Sequence, residues 1–272
     1  MRLRFTKMQA LGNDFIVVDV RGLRLRRLSW LSERLCHRKF GIGADQLSLL
    51  CNSKAADFKM RIFNADGSEA EMCGNGIRCL AKYIWDKKLR NQKLAIETLA
   101  GIIHLEKKGE LIRVDMGEPI FEPEKIPVRI SSKLIVNCPL EVEDRRFKIT
   151  CISMGNPHTI IVVKDVQSFP VNHYGPLIER HELFPKRTNV EFIEILNRKN
   201  IKMRVWERGV GETMACGTGA CAVAVAGALM GLTEREVTVH LPGGKLLIEW
   251  AKDNHVYMTG PAVKVFGGEI EI

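Results

Sequence analysis

Two cysteines in this chain of 272 residues are each followed by glycine and then by a helix-forming run, a setting that can make a thiol reactive. Cys216 ends a glycine-broken loop in the stretch RVWERGVGETMACGTGACAVAVAGALM, from Arg204 to Met230. Cys73 ends a second such loop in RIFNADGSEAEMCGNG, from Arg61 to Gly76. A thiol pKa near ~8.5 falls to about 3.5–7.5 at a helix N-terminus, where unpaired N–H groups and the helix dipole favour the anion. Gly74 and Gly217 remove side-chain bulk beside each sulfur, so that the next N–H groups can bind a carboxylate. Each stretch thus supplies one tunable acid or base and half of an anion cradle. A thiolate on one face of a carbon and a thiol on the other could invert a stereocentre, one taking a proton and the other giving one. The weakly acidic Cα–H of an amino acid would need hydrogen bonds to its carboxylate in a site closed to water. No lysine sits in an obvious pyridoxal-phosphate context, so this chemistry is expected to use no cofactor.

The elements that position these cysteines occur twice. At an offset of 143 residues (216 − 73), Arg61 falls on Arg204, Phe63 on Trp206, Glu69 on Glu212 and Gly76 on Gly219. The same offset pairs Gly12 with Gly155, Gln46 with Asn189, Gly101 with Gly244 and Gly117 with Gly260. A register kept over most of the chain argues for two similar domains from an internal duplication. Strands are expected at Phe15–Val18, Leu47–Cys51, Phe58–Phe63, Leu94–Glu97, Ile102–Leu105 and Leu111–Met116. Helical spacing marks Leu28 to Lys39 and the run from Ile77 through Leu80, Ala81, Ile84 and Trp85. In the second half, strands are expected at Thr159–Val163, Val190–Ile195, Ile201–Trp206, Val237–His240 and Lys245–Trp250. The charged, proline-containing stretch from Glu118 to Thr150 reads as the crossing between the halves.

Composition excludes several classes. With 46% apolar and 27% charged residues the chain can bury a real core. Its longest low-polarity run, Ala220 to Met230, is far short of the ~20 residues that span a bilayer. The start, MRLRFTKMQALGND, lacks an apolar block with a cleavage site, so a cytoplasmic location is expected and no membrane partner. The net charge of +9 is spread along the chain with only a small cluster at Arg21–Arg27, so no nucleic-acid partner is expected. Cys36, Cys51, Cys79, Cys138, Cys151 and Cys221 read as small core residues. No CxxC pair or zinc spacing is present, and no metal is expected. On residues alone, Cys73 and Cys216 leave three readings open: a proton-transfer pair, a redox dithiol, or two buried structural thiols. The duplicated register weighs against the last.

Several motifs carry a family resemblance. GNDF at Gly12–Phe15, FNADGSEAEMCGNG at Phe63–Gly76, GNPH at Gly155–His158 and ERGVGETMACGTGA at Glu207–Ala220 resemble the diaminopimelate epimerases. Pro242–Gly244 and MTGPAV at Met258–Val263 fit as well. The resemblance implies a cofactor-independent isomerase that interconverts LL- and meso-diaminopimelate, in lysine and peptidoglycan-precursor synthesis. It implies Cys73 and Cys216 as the acid/base pair, with His158 and Glu207 tuning the thiols. Gly74, Asn75, Gly217 and Thr218 would bind the carboxylate at the reacting carbon. Asn64, Asn156, Asn189, Glu207 and Arg208 would hold the distal end, with Asn13 and Gln46 lining the site. The implied fold is α/β (α+β): two pseudo-symmetric domains, each a curled, mostly antiparallel sheet around a central helix, with the active site in the cleft. The domains would be residues 1–117 with 263–272, and 118–262. A homodimer is implied too, although a tyrosine common in the dimer contact is Phe266 here. A racemase of another amino acid, such as histidine, is the neighbouring alternative.

Overall fold

A computed structural model describes residues 1–272. The chain folds as two compact units, Met1–Val114 with Gly260–Ile272, and Asp115–Thr259.

The first unit begins with β1 (Arg2–Ala10), β2 (Asn13–Asp19), α1 (Leu28–Cys36), β3 (Gln46–Cys51), β4 (Phe58–Asn64) and the short β5 (Glu69–Ala70). It continues with α2 (Gly74–Asp86), β6 (Lys93–Thr98), β7 (Gly101–Lys108) and β8 (Leu111–Asp115). The second unit holds β9 (Cys138–Val142), β10 (Arg145–Ser153), β11 (Pro157–Val162), α3 (Val171–Glu179), β12 (Asn189–Asn197), β13 (Asn200–Glu207) and β14 (Gly211–Thr213). Then follow α4 (Gly217–Leu229), β15 (Glu236–Leu241), β16 (Gly244–Trp250) and β17 (Val256–Gly260). The chain returns to the first unit as β18 (Val263–Glu271), which pairs antiparallel with β1.

Pairing follows one plan in both units. β1–β2 is antiparallel, β2–β3 parallel, β3–β4 antiparallel and β4–β6 parallel. β10–β11, β11–β12, β12–β13 and β13–β15 repeat that series of directions. Each unit wraps its sheet around one helix. α2 packs on β1, β2, β3, β4 and β18, and α4 packs on β10, β11, β12, β13, β15 and β16. α4 is buried from Ala220 to Gly227 because its sequence is apolar on every face, as a helix inside a curled sheet must be.

Two expectations about elements need correction. The helix from Leu28 stops at Cys36 rather than Lys39. His37 turns extended (φ −61°, ψ 116°), and its Nδ1 accepts the N–H groups of Lys39 and Phe40, both at 3.1 Å. That local turn outcompetes another helical turn. The Glu118–Thr150 crossing also contains structure: β9 and the start of β10 form a hairpin, Val142 opposite Arg145. β10 stands at the 143-residue offset from β1, and α3 stands at that offset from α1. Exposed charged residues in the first half of β10 (Arg145, Arg146, Lys148) obscure its strand pattern.

Candidate active site

Each key cysteine is the residue just before the central helix of its unit. Cys73 is extended (φ −138°, ψ 118°) and caps α2, its carbonyl accepting the Ile77 N–H at 2.8 Å. Cys216 does the same for α4 (φ −117°, ψ 114°), accepting the Ala220 N–H at 3.0 Å. The first-turn N–H groups of a helix lack intrahelical partners, so each sulfur lies at a positive, donor-rich end. In the second unit the Gly219 N–H donates to Cys216 Sγ itself at 3.4 Å, and the Thr218 hydroxyl lies 3.5 Å from it.

The loops that deliver the thiols are braced alike. Arg61 grips Glu69 through two hydrogen bonds of 2.7 and 2.8 Å, tying β4 to β5. Arg204 grips Glu212 at 2.6 and 3.0 Å, tying β13 to β14. Bidentate guanidinium–carboxylate pairs fix both distance and plane. The glycine two residues into each helix allows close packing. A β-carbon on Gly76 would lie 2.8 Å from Ile62 Cδ1, and one on Gly219 would lie 2.7 Å from Glu191 Oε1.

Around Cys73 the groups are amides and a buried cation. Asn13 Oδ1 lies 3.8 Å from Cys73 Sγ and 3.5 Å from Asn75 Nδ2, while Asn13 Nδ2 donates to Asp45 at 2.8 Å. Asn75 is buried in the first turn of α2, and its Oδ1 accepts from Arg78 Nη2 at 2.8 Å. Gln46 Nε2 donates to Asn64 Oδ1 at 2.7 Å, and Asn64 Nδ2 donates to Ser68 at 2.9 Å. Gln46 Oε1 is buried without a hydrogen-bond partner, an open acceptor for an ammonium group.

Around Cys216 the groups are acids and an imidazole. His158 is fully buried, with Nδ1 2.6 Å from Glu191 Oε1 and Nε2 3.0 Å from Asn156 Oδ1. Glu207 accepts from the Thr213 hydroxyl. Burial, then the charges of Glu207 and Glu191, push the Cys216 thiol well up, although Thr218 and the Gly219 N–H pull the other way. Burial pushes the Glu207 carboxyl up as well, with Glu191 adding to it and Thr213 and His158 opposing. Burial and the two carboxylates thus favour the protonated thiol at Cys216, opposite to the lowering expected from a helix N-terminus alone. Asn189 uses both ends of its amide on backbone: Nδ2 donates to Pro157 O and Oδ1 accepts the Arg208 N–H, each at 2.9 Å. The Arg208 side chain is exposed, with one bond to Lys186 O at 3.2 Å.

Cys36, Cys79, Cys151 and Cys221 are core residues, whereas Cys51 and Cys138 are half-buried at strand ends. Four charged residues that brace the loops and helix starts gave no signal in the sequence: Arg78, Glu179, Glu191 and Asp45. Glu179 is buried and accepts from Trp206 Nε1 at 2.8 Å and the Gly209 N–H at 3.0 Å, fixing the loop that carries Glu207 and Arg208. A charged residue in a strand or helix reads as a surface residue until packing is known. The duplication offers one signal in hindsight: Phe15 and Ser48 occupy in the first unit the places of His158 and Glu191.

The sequence profile of the diaminopimelate epimerases matches residues 5–122 and 150–265. A diaminopimelate epimerase of Acetivibrio thermocellus is 54% identical, over 99% of this chain and 99% of that protein. One of Methanococcus maripaludis is 52% identical, over 99% of this chain and 100% of that protein. Among solved structures, a phenazine biosynthesis protein of the PhzF family from Bacillus anthracis superposes with a TM-score of 0.74 at 20% identity, covering 100% of both chains. A hydroxyproline epimerase from Agrobacterium vitis, with bound trans-4-OH-L-proline, gives 0.70 at 12% identity, over 99% of this chain and 92% of that one. At those identities the structures share the fold.

Proposed function

We infer that this chain, which belongs to the diaminopimelate epimerase family, interconverts LL- and meso-diaminopimelate with Cys73 and Cys216 as the paired acid and base. It is an isomerase that acts on a small molecule. The observation that carries the reading is the repeated cap: a cysteine just before each central helix, followed by glycine, at the same offset in both units.

The step balances without an external reagent. One sulfur, as thiolate, takes the α-proton; the other, as thiol, delivers its proton to the opposite face, and the C–H bond broken is replaced by the C–H bond formed. Negative charge that develops on the α-carbon spreads into the carboxylate. The first-turn N–H groups at Gly74–Gly76 and at Gly217 and Thr218 are suited to receive it. The raised Cys216 thiol fits the member of the pair that starts as proton donor. Arg208, Glu207, Asn64, Asn156 and Asn189, with Asn13 and Gln46, supply the polar clamp for the distal ammonium and carboxylate. No cofactor is required by this scheme.

No helix is long and apolar enough to cross a membrane. We propose that the enzyme works in the cytoplasm. We propose a homodimer whose contact includes β18, a reading supported by the exposure of Val263, Val265 and Phe266, the last packed edge-on against Phe5. Purified, reduced protein should convert LL-diaminopimelate to the meso form with no added cofactor and leave L-histidine and L-proline unchanged. Turnover of histidine or proline with none of diaminopimelate would overturn the substrate assignment.

A further inference from the structure

Arg78 is the largest fully buried side chain, at 0% exposure, and the proton-transfer scheme does not use it. It lies one turn into α2, behind the Cys73 cap. Its guanidinium donates through Nη1 to Gly74 O at 3.1 Å, through Nη2 to Asn75 Oδ1 at 2.8 Å and through Nε to Pro261 O at 3.2 Å. At the 143-residue offset the second unit has Cys221, a neutral core residue, and Thr218 in place of Asn75. The guanidinium therefore belongs to the Cys73 half-site alone.

A guanidinium has donors and no acceptor, which settles the direction of the neighbouring amide. Only Oδ1 of Asn75 can face Arg78, so Nδ2 must face away, toward Asn13 Oδ1 at 3.5 Å. The far end of this row of amides is fixed in the same sense. Asn13 Nδ2 donates to Asp45 at 2.8 Å, and the Asp45 carboxylate is held by Arg38 at 2.8 Å. A donor-only group at one end and an acceptor at the other leave one orientation for both amides.

We propose that Arg78 is a positioning residue of the Cys73 half-site: it locks Asn75 so that its side-chain N–H group, beside the first-turn N–H groups of α2, is presented to the substrate α-carboxylate. This rests on the proposed function, in which Gly74 and Asn75 bind that carboxylate. The positive charge buried beneath the turn adds to the helix dipole and favours an anion there. Arg78 itself does not touch substrate and acts through Asn75.

Four variants test it: Arg78→Lys, Asn75→Asp, Asn75→Ala and the double variant Arg78→Lys/Asn75→Ala. Lysine at 78 keeps the charge but lacks the planar fork that reaches several acceptors at once. Arg78→Lys should raise KM for diaminopimelate about tenfold, the size expected when a hydrogen bond to a charged group is lost, with a smaller change in kcat. Asn75→Asp is the second variant: Arg78 holds the new carboxylate firmly, so the protein stays folded, yet the group now offered to the substrate is an acceptor. Its KM should rise at least tenfold with no drop in Tm. The double variant Arg78→Lys/Asn75→Ala should be no worse than the poorer of its two single variants. Wild-type KM in folded Asn75→Asp, or additive losses in the double variant, would overturn the proposal. If Arg78→Lys does not fold, Asn75→Asp alone decides. Failure of the substrate assignment shows separately, as absent turnover of diaminopimelate by the wild type. The KM ratios are then read with whichever amino acid is turned over, since its α-carboxylate meets the same turn.

Discussion

Replacing Gly219 by alanine measures how rigidly the floor beneath Cys216 is held. The added β-carbon would lie 2.7 Å from Glu191 Oε1, 3.1 Å from Met203 Cε and 3.3 Å from Cys216 Cβ. Glu191 has no room to retreat, being fully buried and fastened at 2.6 Å to His158. Overpacking a core costs about 1–3 kcal/mol, and a pinned neighbour puts this site near ~3 kcal/mol. Alanine returns up to about 1 kcal/mol through its better helix propensity. The net loss should be about 2 kcal/mol, or roughly 4–8 °C in Tm for a domain of this size. Gly76→Ala is the matched control. Its β-carbon would meet Ile62 Cδ1 at 2.8 Å and Phe15 Cε1 at 3.0 Å. The end of an isoleucine side chain moves by changing rotamer, so a cost near ~1 kcal/mol is cancelled by the propensity gain. Differential scanning calorimetry of the two variants gives the comparison. Equal Tm values for Gly219→Ala and Gly76→Ala would show that the Glu191–His158 pair yields freely, and that the floor is not rigid.

Cys73→Ala and Cys216→Ala should each abolish epimerisation with the circular dichroism spectrum unchanged; substantial turnover by either folded variant would refute the two-thiol scheme. Because burial and then the Glu207 and Glu191 charges hold the Cys216 thiol up, its alkylation should be slow at neutral pH and climb into the alkaline range. Glu207→Gln removes the larger of those charges and should speed alkylation of Cys216 at pH about 7 severalfold, read by peptide mass mapping; an unchanged rate would count against Glu207 as a tuning residue. Burial also pushes the Cys151 thiol up to about 12, above its unfolded value near ~8.5. A raised folded value means this contribution to stability is whole below pH ~8.5 and is lost as pH rises toward 12, by about 1.4 kcal/mol per pH unit. Urea unfolding between about pH 8.5 and 10.5 should therefore be less steeply pH-dependent in Cys151→Ala than in wild type, and identical slopes would contradict it.

The duplicated glycine-and-cysteine loops were legible in the sequence because their constraints are local. Cys73 and Cys216 sit next to the glycines that let a helix begin and a backbone approach closely. The strands with apolar cores, such as β12 and β13, were legible for the same reason: burial shows in their composition. β10 was not, since the exposed charges of its first half mask a strand whose second half, from Ile149 to Ser153, is buried on both faces. The supporting charges escaped too. Nothing local distinguishes Arg78 from the many exposed arginines, or Glu191 from an outward-facing strand carboxylate. Their burial depends on partners that long-range folding supplies, Pro261 O for one and His158 for the other.

The central claim is that two thiols act on opposite faces of one α-carbon. The most direct measurement follows LL-diaminopimelate in deuterated water at low conversion, with isotope content read separately in substrate and product. Two thiols predict meso product carrying one deuterium at the inverted carbon, while the remaining LL substrate still carries protium. Product that keeps the substrate's own protium would mean that a single base returns the proton it removed, and would contradict the account.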